Sequence, residues 1–163
     1  MYNDNPRDFL NFVNEGITER INSGFVTGLA GHFGTRQKNG DRKLILSHAG
    51  HRQLLVYRKQ ENAVELIELP NGTVLGLPGT TASRAKAIKL QIGDRFYAFT
   101  DGIVEASNPK GEEFGTKRVM DAVKSLSAQP IQKTVEALYT KVAKFTQVPD
   151  QQDDITILGF ELS

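Results

Sequence analysis

Apolar and polar positions alternate along this chain in blocks that change period, and the blocks predict one helix, a run of strands, two further helices and a last strand. Asn5 and Pro6 precede Phe9, Leu10, Val13, Ile17 and Ile21, which recur at helical spacing. Asn5 is suited to cap this helix and Pro6 to occupy its first turn, while Asn22-Ser23-Gly24 ends it. A strand over 25–33 follows, then Gln37-Lys38-Asn39-Gly40-Asp41, whose Asn-Gly pair signals a hairpin, and a return strand over 43–47. His48-Ala49-Gly50-His51 breaks that strand, 54–57 begins another, and 64–69 alternates as a half-exposed strand should. The first half therefore reads as a meander of antiparallel strands behind one helix.

Residues 70–84 carry Pro70, Gly72, Gly76, Pro78 and Gly79 and read as an irregular loop; the Gly-Lys-Ser/Thr ending of a phosphate-binding P-loop is absent. Ala85 to Leu90 is expected to form a second hairpin with Phe96–Phe99 around a Gly93-Asp94 turn. After a turn at Asn108-Pro109-Lys110-Gly111, Val119, Ala122, Val123 and Leu126 outline a short amphipathic helix. Pro130 opens a second, with Ile131, Val135, Leu138, Val142 and Phe145 on one face. Both stripes are expected to face a core. Gln147-Val148-Pro149-Asp150 then crosses to a strand over 155–160.

Composition narrows the class without naming a chemistry. A chain of 163 residues, 39% hydrophobic and 24% charged, suits one globular domain of mixed α and β type. A net charge of +1 with dispersed basic residues gives no electrostatic case for nucleic acid or a membrane surface. With no cysteine, disulfides, thiolate zinc sites and cysteine nucleophiles are excluded. No window approaches the roughly 20 apolar residues of a membrane span, and the first residues lack the basic and apolar regions of a signal peptide. A cytoplasmic location is the resulting expectation.

The candidate chemistry lies in two places where a strand meets carboxylates. Phe96 to Phe99 runs into Thr100-Asp101-Gly102, and Asp153-Asp154 leads into Ile155-Thr156-Ile157. Strand ends carrying carboxylates can bring Asp101 and Asp153 together over a cation. The blander account of the same residues is a turn dipeptide and a solvated loop. His51 invites assignment as a general acid, but a hydrogen-bonded structural histidine at a strand break is the preferred reading. His48 and His32 have no partner at ligand spacing, Glu105 is read as a surface or capping group, and Gly102 as a residue of backbone geometry. Asp4 and Asp8 suit the start of a helix, where acidic side chains complement the dipole.

Taken in order, Phe25-Val26-Thr27, Ser47-His48-Ala49-Gly50-His51, Leu75-Gly76-Leu77, Gly93-Asp94-Arg95, Thr100-Asp101-Gly102-Ile103-Val104-Glu105-Ala106, Glu113-Phe114-Gly115 and Asp153-Asp154-Ile155-Thr156 form a set. The set resembles the SpoIIE-like branch of the metal-dependent protein serine/threonine phosphatases, the PPM or type 2C family, over nearly the whole chain. The resemblance implies an α+β fold, an antiparallel β-sandwich with flanking helices. It also implies two Mg²⁺ or Mn²⁺ ions bound by Asp101 and Asp153, with Asp154 and Gly102 behind them. Water activated by the metals would attack phosphoserine or phosphothreonine on a regulatory protein, such as an anti-sigma-factor antagonist in a bacterial signalling switch.

One family segment has no counterpart. The Asp-x-x-Gly-His-Gly-type stretch, whose Asp bridges both metals in relatives, is not found in 1–163. The expectation is thus a single partial phosphatase domain lacking its N-terminal strands, as a fragment or a degenerate relative of a parent joined to a sensor or membrane-bound domain. Taken alone, it would bind metal weakly, turn over negligibly and self-associate through open sheet edges. The alternative is a non-catalytic pseudophosphatase or partner-binding module.

Overall fold

The computed structural model describes residues 5–21, 23–147 and 153–163. Their contacts divide into two compact units, one taking the chain up to Arg52 together with Glu68–Gln91, the other Gln53–Ile67 together with Ile92–Ser163.

In the first unit, α1 (Pro6–Thr18) begins as the sequence requires: the Asn5 side chain accepts from the Arg7 amide at 3.1 Å, and Pro6 fills the first turn. It ends before Ile21. A three-stranded antiparallel sheet follows, with β1 (Gly28–Phe33), β2 (Arg42–Ala49) and β5 (Lys86–Leu90) in the order β1-β2-β5. The Asn39-Gly40 turn joins β1 to β2, with Gly40 at φ +87°, a conformation that favours glycine. Leu10 of α1 is buried with Ala49, Leu75 and Ala82, and Val13, Ile17 and Ala30 pack against them. The loop over 70–84 is irregular but pinned. Asn14 accepts from the Gly76 amide at 2.7 Å, Asn11 accepts from the Ala82 amide at 2.8 Å, and the Ser83 hydroxyl accepts from the His48 amide at 2.8 Å.

The second unit holds β3 (Leu54–Arg58), β4 (Ala63–Leu66), β6 (Arg95–Phe99) and β7 (Ile157–Glu161) in the antiparallel order β4-β3-β6-β7. Helices α2 (Gly115–Ser125) and α3 (Ile131–Thr146) accompany it. β6 is an inner strand and all five of its residues are buried. Tyr97 and Phe99 join Ile103, Val119, Val123, Leu138 and Val142 in one core. Burying side chains of this size contributes about 1.5–3 kcal/mol each, so the aromatic run between Gly93 and Thr100 fixes where Asp101 emerges. Phe96 stacks on Phe160 at 5.1 Å between ring centroids, and Arg95 meets Glu161 across the strands at 2.6 Å. The apolar stripes of both helices face this core, as their spacing predicts.

Three sequence expectations are corrected. The strands do not form one meander, because β1 and β2 belong to one sheet and β3 and β4 to the other. Nor do β5 and β6 form a hairpin: β5 pairs with β2, and β6 with β3 and β7. The Gly93-Asp94 turn is claimed by other partners. The Gly93 amide donates to the Leu162 carbonyl at 2.7 Å, and the Leu162 amide donates to the Asp94 carbonyl at 2.9 Å. The Asp94 carboxylate, fully buried, takes the Arg58 guanidinium at 3.0 Å and the Lys59 amide at 3.0 Å. A smaller correction concerns His48, which lies inside β2 rather than breaking it; the strand stops at Gly50, whose φ is +77°. Among the described residues no helix is long and apolar enough to cross a membrane.

Candidate metal centre

Asp101 begins a single 3-10 turn, Asp101–Ile103, set directly on the end of β6. The turn is held from below and from within. Ile103 is fully buried and Val104 nearly so, while the Asp101 carbonyl accepts from the Glu105 amide at 2.9 Å. Its side chain is exposed, on a backbone that the core immobilises.

The segment before β7 is brought to this turn by Thr100. The Thr100 hydroxyl donates to the Asp154 carbonyl at 2.9 Å and accepts from the Thr156 amide at 3.0 Å. The Thr100 amide also donates to the Thr156 carbonyl at 3.1 Å. This continues the β6–β7 pairing, whose last register pair is Phe99 with Ile157. Asp153 and Asp154 are both exposed there, and Asp153 Oδ1 accepts from the Asp154 amide at 2.8 Å.

Gly102 explains how the approach is possible. A Cβ at this position would stand 2.6 Å from the Asp154 carbonyl oxygen and 3.4 Å from the Asp153 Cβ. The first distance is too short for real atoms, so only glycine lets the two segments close. Gly102 therefore serves backbone geometry, and Asp154 contributes a backbone carbonyl to the closure. Asp101 and Asp153 consequently start from adjoining stretches of chain.

Carboxylate oxygens on an anchored turn and on the segment clamped to it suit a hard divalent cation that keeps part of its water, the manner in which Mg²⁺ is held by one or two carboxylates. The donor set therefore fits such an ion. It is a pair, however: among the described residues no group of three or more His, Cys, Asp or Glu side chains is placed to hold a metal. Asp4 and Asp150, read as a helix-start and a loop residue, lie outside the described residues, and Asp8 sits in the first turn of α1.

The other titratable candidates have separate structural settings. Glu105 is exposed. His48 is buried in β2, with Nε2 2.9 Å from the Pro70 carbonyl, and burial foremost, then the nearby Arg52, holds its pKa below the usual histidine value against that hydrogen bond. His51 follows Gly50 and is half-buried, and His32 is half-buried on β1. Sequence reasoning overlooked Thr100 as an organiser of the site. Its signal was available: a hydroxyl residue at the point where an apolar strand gives way to Asp-Gly.

Comparison with known proteins agrees with this architecture. The family model described as Stage II sporulation protein E (SpoIIE) matches residues 2–163. A search of curated proteins finds no match. Among solved structures, the chain is similar to the SiaA PP2C domain of Pseudomonas aeruginosa (TM-score 0.70, 22% identity), covering 98% of this chain and 62% of that one. It is similar to the RsbU and RsbW domains of a Mycobacterium tuberculosis protein (TM-score 0.74, 22% identity), covering 95% of this chain and 41% of that one. A third similar structure is the phosphatase domain of the cell fate determinant SpoIIE from Bacillus subtilis, presoaked in manganese (TM-score 0.59, 16% identity), covering 83% of this chain and 56% of that one. The chain thus spans less than two thirds of the length of each of these structures.

Among the described residues two antiparallel sheets with three α-helices make an α+β fold, and with the SpoIIE match they define a domain of the PPM phosphatase class. The chain belongs to the SpoIIE family within that class.

Proposed function

We propose that this chain carries the Asp101 and Asp153 portion of a phosphatase that hydrolyses phosphoserine or phosphothreonine on a regulatory protein in a bacterial cytoplasm. The observation that carries the reading is the Thr100 clamp, which joins the Asp101 turn to the Asp153 segment. Asp101 and Asp153 would hold Mg²⁺ or Mn²⁺ through carboxylate oxygens, two ions in a complete domain, with Gly102 and the Asp154 carbonyl keeping the two segments in contact. A bound divalent ion supplies Lewis acidity toward the phosphoryl oxygens and the attacking water. The chain's own contribution is positional: the buried strand β6 anchors the Asp101 turn and the Thr100 clamp ties the Asp153 segment to it, so less ordering is needed when a phosphate group arrives.

Two carboxylates hold a divalent ion weakly, so the isolated chain is expected to bind Mn²⁺ poorly and to turn over negligibly. Its substrate is proposed to be an anti-sigma-factor antagonist type of phosphoprotein; the similar structures include RsbU and RsbW domains together in one protein. The outermost strands β4 and β7 expose Leu66 and Leu158, which supports self-association of this chain through sheet edges.

Calorimetric titration with Mn²⁺, paired with release of phosphate from a phosphoserine protein, tests the reading. Weak binding that Asp101→Asn and Asp153→Asn each abolish is the expected result. Binding that survives both substitutions refutes it. Binding that both substitutions abolish, with no phosphate released by any longer form of the chain, favours a partner-binding pseudophosphatase instead.

A further inference from the structure

A second polar feature lies in the first unit, at the β1–β2 hairpin. A cavity of about 700 Å³ opens there, and its lining includes Lys38, Asn39, Asp41, Arg42, Lys43 and Lys89. Four of those side chains are cationic and one is anionic. The turn beneath them is internally braced. Asn39 accepts from the Asp41 amide at 3.2 Å and donates to the Asp41 carboxylate at 2.9 Å, while the Gln37 amide donates to the Asp41 carbonyl at 2.9 Å.

Charge placement in the cavity works against the sheet's own stability. Lys43 and Lys89 are register partners on β2 and β5, so two like charges stand directly opposite each other. The nearly buried Asp41 carboxylate relieves Lys89 at 2.8 Å. Lys43 and Lys38 are exposed, and Arg42 lies over the Phe33 ring at 5.2 Å with its Nε donating to the Gly34 carbonyl at 3.3 Å. The result is a concave, positively charged surface on a rigid hairpin.

We propose that this surface docks an acidic stretch of the phosphoprotein substrate, which rests on the phosphatase reading above. Charge complementarity selects the occupant. The cavity is far larger than a phosphate ion and lacks a buried arginine fork, the arrangement that captures phosphate bidentately. Among the described residues no aromatic side chain lines it to stack a base, and the chain as a whole carries only +1, unlike a nucleic-acid binder. Several carboxylates on an extended segment match dispersed lysines on an open surface, and such contacts steer encounter more than they add affinity.

The test uses the whole chain and a fluorescently labelled octaglutamate peptide, followed by anisotropy at low and at physiological ionic strength. Binding that weakens with salt and falls at least tenfold in Lys38→Glu/Lys43→Glu, but not in the charge-matched control Lys110→Glu/Lys124→Glu, is expected. A milder Lys43→Gln variant should show an intermediate loss, which guards against misfolding of the double variant. Equal loss in the control, or no loss in the hairpin variant, overturns the proposal. So does displacement of the peptide by equimolar inorganic phosphate, or tighter binding of a single-stranded oligonucleotide through the same lysines. Asp101→Asn should leave peptide binding intact, so failure of the metal reading and failure of the docking surface give different results.

Discussion

The Thr100 hydroxyl donates to the Asp154 carbonyl at 2.9 Å, across 54 residues of sequence, while accepting from the Thr156 amide. One small side chain thus joins the end of β6 to the approach of β7, with a carboxylate beside each end of the join. Thr100→Val keeps the shape and removes both bonds, and the expected loss is about 1–3 kcal/mol of stability. Mn²⁺ affinity should fall as well, and Thr100→Ser should restore both. Urea unfolding and calorimetry measure the two effects.

Gly102→Ala tests the close approach itself. The added methyl meets a backbone oxygen, which cannot rotate away, so one of the two segments must shift. A cost of about 1–3 kcal/mol is expected, with weakened Mn²⁺ binding although no carboxylate is altered.

Asp94 makes a contrasting case, a buried acid with a structural task. Removing it by Asp94→Ala leaves the mostly buried Arg58 guanidinium with Glu65 alone, at 2.8 Å, and takes from the Lys59 amide its carboxylate acceptor. Losing these charge-assisted hydrogen bonds costs about 1–3 kcal/mol. A fall in the denaturation midpoint that large, with the Asp101 and Asp153 side chains untouched, would confirm that the Gly93-Asp94 motif serves the fold.

His48 gives the fold a dependence on pH. Its pKa in the folded chain lies below the ordinary value of 6.5 because burial disfavours the charged ring. The unfolded chain therefore takes up a proton first as pH drops. The contribution is fully present above about pH 6.5 and is lost as pH falls toward the folded-state pKa. Unfolding free energies measured from pH 7.5 to 5 should decline more steeply for the native chain than for His48→Gln.

Local signals in the sequence carried the elements well, and their partners poorly. Asn5, the Asn39-Gly40 turn and Pro130 act on their immediate neighbours, so the starts of α1, β2 and α3 could be read directly. The membership of β5 and β6 in different sheets could not. Gly93-Asp94 has the composition of a hairpin turn, yet its hydrogen bonds go to Leu162, Arg58 and Lys59, which only the folded chain brings near. At the candidate centre, the sequence showed Asp101 directly after an apolar strand and Asp153 ahead of another, and the structure places Asp101 at the end of β6 and Asp153 four residues before β7. The role of Thr100, which draws them into one neighbourhood, was not legible, because its partners lie so far along the chain.

The β6–β7 pairing also dictates when this region can take shape. During synthesis the Asp101 turn leaves the ribosome long before its counterpart, and β6 must wait with one flank open until β7 arrives. Long-range pairings of this kind form slowly because a large loop must close before any contact rewards it. The joining of the Asp101 turn to the Asp153 segment thus marks the finished molecule and is out of reach of a nascent one.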